Sequence, residues 1–207
     1  AAALILLFVM QAFLAIKLGV FNGMLGGPDV YMWLVRASHL HESGNWLDHA
    51  LPRVNPPVGY EQHWTRPFDM VLITGAWLGS IFTEFDRSLY IWGVLVSPAL
   101  EVLALFSFLW MINPILGNKE NGVAGLLFVT QISIWASYVA GRADHQSLIM
   151  LFFILSIGIG LRMLVRPFSR KTCYLAAFLA ALAIWVSVES IVFPLLTITT
   201  FGLFWLL

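Results

Sequence analysis

Long apolar runs separated by short polar turns organise this chain. Six stretches approach the roughly 20 apolar residues that a helix needs to cross a bilayer: residues 1–21, 88–112, 123–140, 146–165, 173–192 and 194–207. A seventh, Phe68 to Thr83, is harder to place. It has 16 residues, follows Pro67, contains Gly75 and Gly79, and ends in Glu84-Phe85-Asp86-Arg87. Counted as a crossing, it puts the turns at Asp29 and Asp144 on opposite faces of the membrane; taken as a re-entrant or interfacial helix, it puts them on the same face. The pattern predicts an all-α membrane protein, a multi-span helical bundle forming a single transmembrane domain over 1–207. Its large exterior first loop, 22–87, is expected to hold interfacial and re-entrant helices.

Within that loop, Val30, Trp33, Leu34, Ala37 and Leu40 recur at helical spacing with Arg36, His39 and Glu42 on other faces. Residues 30–42 therefore predict an amphipathic helix lying in the interface, stopped by Ser43-Gly44-Asn45. From Asn45 to Pro67 the chain carries Pro52, Pro56, Pro57, Gly59 and Pro67, the marks of an ordered irregular segment. Trp46, Tyr60 and Trp64 suit the headgroup level.

Composition agrees with a membrane protein. The chain is 60% hydrophobic and 11% charged, with mean hydropathy +0.86, against about 25% charged residues in soluble domains. Formal net charge is zero, so no excess of basic residues points to nucleic acid. Charge placement says more, because Lys and Arg in short loops favour the cytoplasmic side. Arg162, Arg166, Arg170 and Lys171 mark one loop as cytoplasmic, and with 68–83 not crossing, the loop around Lys119 and Glu120 joins it. The Asp29 and Asp144 turns then lie outside. Cys173 can form no internal disulfide and reads as a small apolar residue. The opening stretch lacks a basic start and a cleavage site, and predicts a retained helix. The start without Met and the stop at Leu207 inside an apolar run are expected of a piece of a longer chain.

Two acidic turns stand out, Pro28-Asp29-Val30-Tyr31 and Gly141-Arg142-Ala143-Asp144-His145-Gln146. Asp29 precedes the predicted amphipathic helix, where its plain role is an N-cap; capping leaves lone pairs for a base or a metal ligand. Asp144 can likewise cap the next helix. His145 can exchange a proton near neutrality, and Arg142 offers a fork to a phosphate. His39, His41, His49 and His63 match no zinc spacing.

The order of one span, a loop opening Pro28-Asp29-Val30-Tyr31, a proline-rich segment with His63-Trp64, then Ala140 to Gln146 resembles the GT-C class of integral-membrane glycosyltransferases. It is similar to oligosaccharyltransferase catalytic subunits and to bacterial polyprenyl-phosphate-sugar transferases, with the chain as the amino-terminal membrane part. The resemblance implies a polyprenyl-phosphate-linked sugar donor, an exterior active site on a bacterial inner membrane, membrane lipid as surroundings, and an essential acid at Asp29. It implies catalytic roles for Asp29, Asp144 and His145. Arg142, His63, Arg66, Tyr31 and Glu189 become substrate contacts, and Asp29 with Asp144 the ligands of a divalent cation, Mg or Mn. Where oligosaccharyltransferases carry a second acid, this chain has Gln146, whose amide oxygen is a weaker, uncharged ligand. Metal-dependent and metal-free transfer both stay open.

Two acids lie inside predicted spans, where a charge costs about 2.5–3.5 kcal/mol on insertion scales and faces a cavity or a partner. Glu101 can pair with Lys17, be protonated, or mark a polar pathway. Glu189 falls near the exterior end of 173–192. A transporter or flippase is the competing class, suited by a broken helix and a buried acid, although no inverted repeat is visible. A non-catalytic assembly subunit is the third.

Overall fold

The computed structural model describes residues 1–52, 54–165 and 169–206, with the backbone alone at 118 and 119. Arg53, Arg166 and Leu207 lie outside the described residues. The order is α1 (Ala2–Lys17), α2 (Pro28–Ser43), β1 (Ala50–Leu51), β2 (Tyr60–Glu61), α3 (Pro67–Gly79), α4 (Phe85–Ile112), α5 (Asn118–Thr130), α6 (Ile132–Tyr138), α7 (His145–Val165), α8 (Arg170–Val186) and α9 (Val192–Leu206), with short 3-10 turns at Val20–Asn22 and Val188–Ile191. The protein is nearly all-α. Among the described residues, three helical stretches, Phe85–Ile112, His145–Val165 and Val188–Leu206, are long and apolar enough to cross a membrane, which makes this a membrane protein.

The other expected crossings come out differently. Helix α1 has 16 residues, about 24 Å at 1.5 Å per residue. The run 123–140 is not one helix: it breaks at Gln131, whose backbone is extended, and the Thr130 hydroxyl engages the Leu126 and Leu127 carbonyls at that end. The run 173–192 ends at Ser187, also extended, with Glu189 in the turn that follows. Helix α3 has 13 residues, about 20 Å of rise, short of the roughly 30 Å hydrocarbon core.

The fold divides into two compact units, one of residues 11–98 with 139–144, the other of 1–10, 99–138 and 145–207. In the second, α7 packs against α8 and α9. The Trp110 ring fills the space a side chain at position 158 would occupy. The Arg162 guanidinium lies 3.6 Å over that ring and donates to the Gly158 carbonyl at 3.1 Å. Glu101 is buried, at 2% exposure.

The first unit is built around α2 and α3. Helix α2 starts with Pro28 at its first turn and stops at Gly44, which takes the left-handed conformation and returns its N–H to the Leu40 carbonyl, the usual reason for glycine there. Its apolar stripe is covered by protein. Trp33 stacks on Trp64 at 4.6 Å and meets Phe68 edge-on at 5.0 Å. Val30, Ala37 and Leu40 are buried on the same side, and so is Arg36, at 1% exposure. Burial of each large apolar side chain contributes about 1.5–3 kcal/mol.

Arg36, expected on a face other than the apolar stripe, is buried with that stripe, where Asp69 meets it. Its Nη2 donates to Asp69 Oδ2 at 2.7 Å and to the Trp64 and Thr65 carbonyls at 3.0 and 3.2 Å. Arg66 donates to the same carboxylate oxygen at 3.1 Å, to the Trp46 carbonyl at 3.1 Å and to the Asp48 carbonyl. Asp69 is wholly buried. One carboxylate thus ties α2, the irregular segment and α3 together.

The proline-rich segment is a small ribbon in which Ala50 pairs with Glu61 and Leu51 with Tyr60. His39 holds Asp48 at 3.0 Å, and the Ala50 amide with that ring keeps the Asp48 carboxyl below the usual range. Burial, then the charges of Arg66 and Arg36, push the neighbouring His49 below its usual value. A histidine with a depressed folded-state pKa supports folding above about pH 6.5 and loses that support as acid protonates it. The thermal midpoint should fall between pH 7 and pH 5, and fall less steeply in His49→Gln. Equal slopes in the two proteins would remove His49 from this account.

Candidate functional site

Within the first unit, the glycine stretch that leads into the Asp29 turn meets the opening of the second acidic turn. The Gly26 amide donates to the Gly141 carbonyl at 2.9 Å. The approach is close: a Cβ on Gly26 would come 3.3 Å from that carbonyl oxygen and 3.4 Å from the Arg142 Cβ. Gly27 adopts φ 150° and Gly141 φ 81°, conformations that L side chains rarely enter.

Asp29 lies in the first turn of α2, while the cap position falls to Gly27. The expected N-cap is therefore two residues off, and Asp29 is exposed. Among the described residues its carboxylate makes no hydrogen bond or ion pair. An acid in the first turn is favoured by the helix dipole. The Tyr31 hydroxyl accepts from the Leu25 amide at 3.1 Å and donates to the Gly23 carbonyl at 3.3 Å. It thereby pins the loop that delivers Asp29.

A proline in α4 prepares the seat for the second turn. Pro98 has no N–H, so the Val94 carbonyl four residues earlier has no helical donor; it accepts from Gly141 at 3.0 Å. The Ser97 hydroxyl donates to the Arg142 carbonyl, and buried Gln11 of α1 accepts from the Ala140 amide at 2.8 Å. Ala15, Val20 and Ala140 pack together beneath, with Val94 against them. Arg142 then lies 3.4 Å from Asp144, whose residue is 8% exposed.

Pro98→Ala returns a donor to α4 and should leave helix stability equal or higher, since proline costs about 3 kcal/mol in a helix interior. The new amide competes for the Val94 carbonyl. Hydrogen exchange in the peptide spanning 139–144 should accelerate while the unfolding midpoint does not drop. Unchanged exchange would show that the vacant carbonyl does not hold the turn.

The remaining expected site residues are distributed differently. His63 is exposed, next to Trp64, which is packed on Trp33. Arg66, expected as a phosphate contact, is 3% exposed with its donors engaged by Asp69 and the Trp46 and Asp48 carbonyls. His145, the first residue of α7, and Glu189, exposed in the turn before α9, belong to the second unit. Lys17 is exposed, with its ammonium 5.8 Å from the Phe13 ring. Among the described residues no three His, Cys, Asp or Glu side chains converge as metal ligands.

Gln11, Val94 and Ser97 are positioning groups that apolar patterning passes over. Pro98 was the available signal, because a proline in an apolar helix frees the carbonyl one turn back. Compared with known protein families, curated proteins and solved structures, the chain matches none.

Proposed function

We propose that this chain is the membrane part of a glycosyltransferase that moves a sugar from a polyprenyl-phosphate-linked donor to an acceptor at the exterior face. The reading rests on the Gly26–Gly141 contact, which sets the Asp29 turn beside the Arg142–Asp144 turn within one compact unit. On this reading the loop 22–87 and the turn 141–145 share the exterior side of a multi-span bundle, in a bacterial inner membrane.

Glycosyl transfer needs an activated acceptor and a stabilised leaving phosphate. Asp29, exposed and unpaired among the described residues, takes the acceptor proton or orients the acceptor. Arg142 faces the departing phosphate, with Asp144 fixing its guanidinium. Tyr31 acts through the loop it pins. The carboxylates of Asp29 and Asp144 are oxygen donors of the kind a hard cation takes. Mg or Mn bound there would neutralise phosphate charge and compete with Arg142 for Asp144.

The test is sugar transfer in proteoliposomes from polyprenyl-phosphate-linked donors, with Asp29→Asn, Asp144→Asn and Glu101→Gln compared for turnover and donor binding. An enzyme loses turnover in the first two and keeps binding. Transport would instead depend on Glu101, and a scaffold would tolerate all three. A chelator arm separates the two charge schemes: loss restored by Mn assigns the acids to a metal, and insensitivity leaves Arg142 as the cation.

A further inference from the structure

We infer that the groove between α3 and α4 holds a hydrocarbon chain of a membrane lipid. The cavity is about 640 Å³, with Met70, Leu78, Ile91 and Leu95 along its sides and Gly75 beside the Trp92 ring at its floor. A Cβ on Gly75 would lie 2.1 Å from that ring, and one on Gly79 2.2 Å from the Ser88 hydroxyl, so the missing side chains let α4 groups reach the α3 backbone. Two of the three polar side chains there are used within the protein: Trp92 Nε1 donates to the Val71 carbonyl at 3.0 Å and the Ser88 hydroxyl to the Ala76 carbonyl at 2.7 Å. With Thr74 at the rim as the third, the groove presents mainly hydrocarbon outward.

Its position on α4 selects lipid as the occupant. Ile91 and Leu95 are 44% and 49% exposed, and Leu103 and Phe106, each 53% exposed, follow on the same helix. At 100° per residue these four fall within about 120° of arc, opposite buried Ser97 and Ala104. A helix long and apolar enough to cross a membrane turns such a stripe toward acyl chains. The groove is the upper part of that stripe, roofed on one side by α3. Leu78, Ile81 and Phe82, at 66%, 76% and 89% exposure, continue the apolar surface past the end of α3. Trp77 beside them donates to His41 at 3.3 Å, an indole with an apolar body and a satisfied N–H, suited to the membrane boundary.

The proposal needs no sugar substrate and is tested without one. The protein is reconstituted in phosphatidylethanolamine vesicles in which one acyl chain carries a diazirine, and illuminated. Adducts are expected in the peptides covering 70–79 and 88–95, reduced several-fold in Thr74→Trp, which fills the groove from its rim. Adducts confined to α7 and α9 overturn the proposal. In a second arm, Thr74→Cys in a Cys173→Ser background carries a nitroxide, with Val58→Cys as the water-exposed reference. Relaxation by oxygen and protection from a soluble nickel chelate are expected at position 74. Nickel access means that the groove faces water, and protection from both agents means that protein covers it; either result overturns the lipid assignment.

Discussion

Replacing Asp69 with asparagine is expected to destabilise the fold by about 3–5 kcal/mol, the usual cost of removing one partner from a buried ion pair. The side chain keeps its shape, so the loss is charge rather than volume. Arg36 and Arg66 would be left in a site where Asp69 is wholly buried and the two guanidiniums are 1% and 3% exposed. Three segments depend on that carboxylate: α2 through Arg36, the irregular segment through the carbonyls that the arginines also hold, and α3 through Asp69 itself. Unfolding followed by heat in detergent should show a large drop in midpoint for Asp69→Asn. Asp48→Asn, at an ion pair about a third exposed, should shift it far less, as exposed pairs contribute little. Combining Asp69→Asn with Arg36→Met should recover part of the loss, because one uncompensated charge is removed. A wild-type midpoint for Asp69→Asn would mean that the triad does not hold the loop.

Asparagine at position 29 should act the other way, with turnover falling by about 10²–10⁴, the range for a general base, and stability barely moving. Asp29 is exposed, and its link to the fold is the helix dipole, about 0.3–1 kcal/mol at most surface sites. Asp144→Asn should reduce both quantities, since Asp144 is buried and meets Arg142. The two variants therefore separate a chemical role from a structural one by the ratio of turnover loss to midpoint shift. Wild-type turnover in both variants, measured in proteoliposomes with a lipid-linked sugar donor, would remove the two acids from the chemistry, and absence of transfer by the unmutated protein would end the transferase proposal.

Local features were legible along the chain. The helix over 30–42 was marked by its apolar spacing and by Ser43-Gly44-Asn45, and it forms as Pro28–Ser43. Pro67 marked the start of α3. Its shortness followed from the glycines and charges after it, and a 13-residue helix cannot match a hydrocarbon core of about 30 Å. The break at Gln131 was not legible, since hydropathy averages over a window and an extended residue changes no average. Arg36 was misplaced for a related reason: helical periodicity assigns a charge to the wet face unless a counter-charge is known, and that counter-charge stands 33 residues further on.

The candidate site divides along the same line. Asp29, Arg142 and Asp144 could be singled out because acids and a guanidinium in short turns between apolar runs are conspicuous. Arg66 looked equally available, yet besides nearby Asp69 its partners are the Trp46 and Asp48 carbonyls, 20 and 18 residues back, which no local window contains.

By itself the sequence determined that this is a helical membrane protein, where α2 and α7 lie, and which turns carry charge. Those properties depend on residues within a few turns of one another, through hydrogen bonding, capping and apolar burial. Only the tertiary structure decided that Gly26 meets Gly141, that the Val94 carbonyl released by Pro98 receives the second turn, and that Asp69 meets Arg36 of α2. Each needs a donor and an acceptor far apart in the chain brought within about 3 Å, and that distance is set by packing rather than by any local pattern.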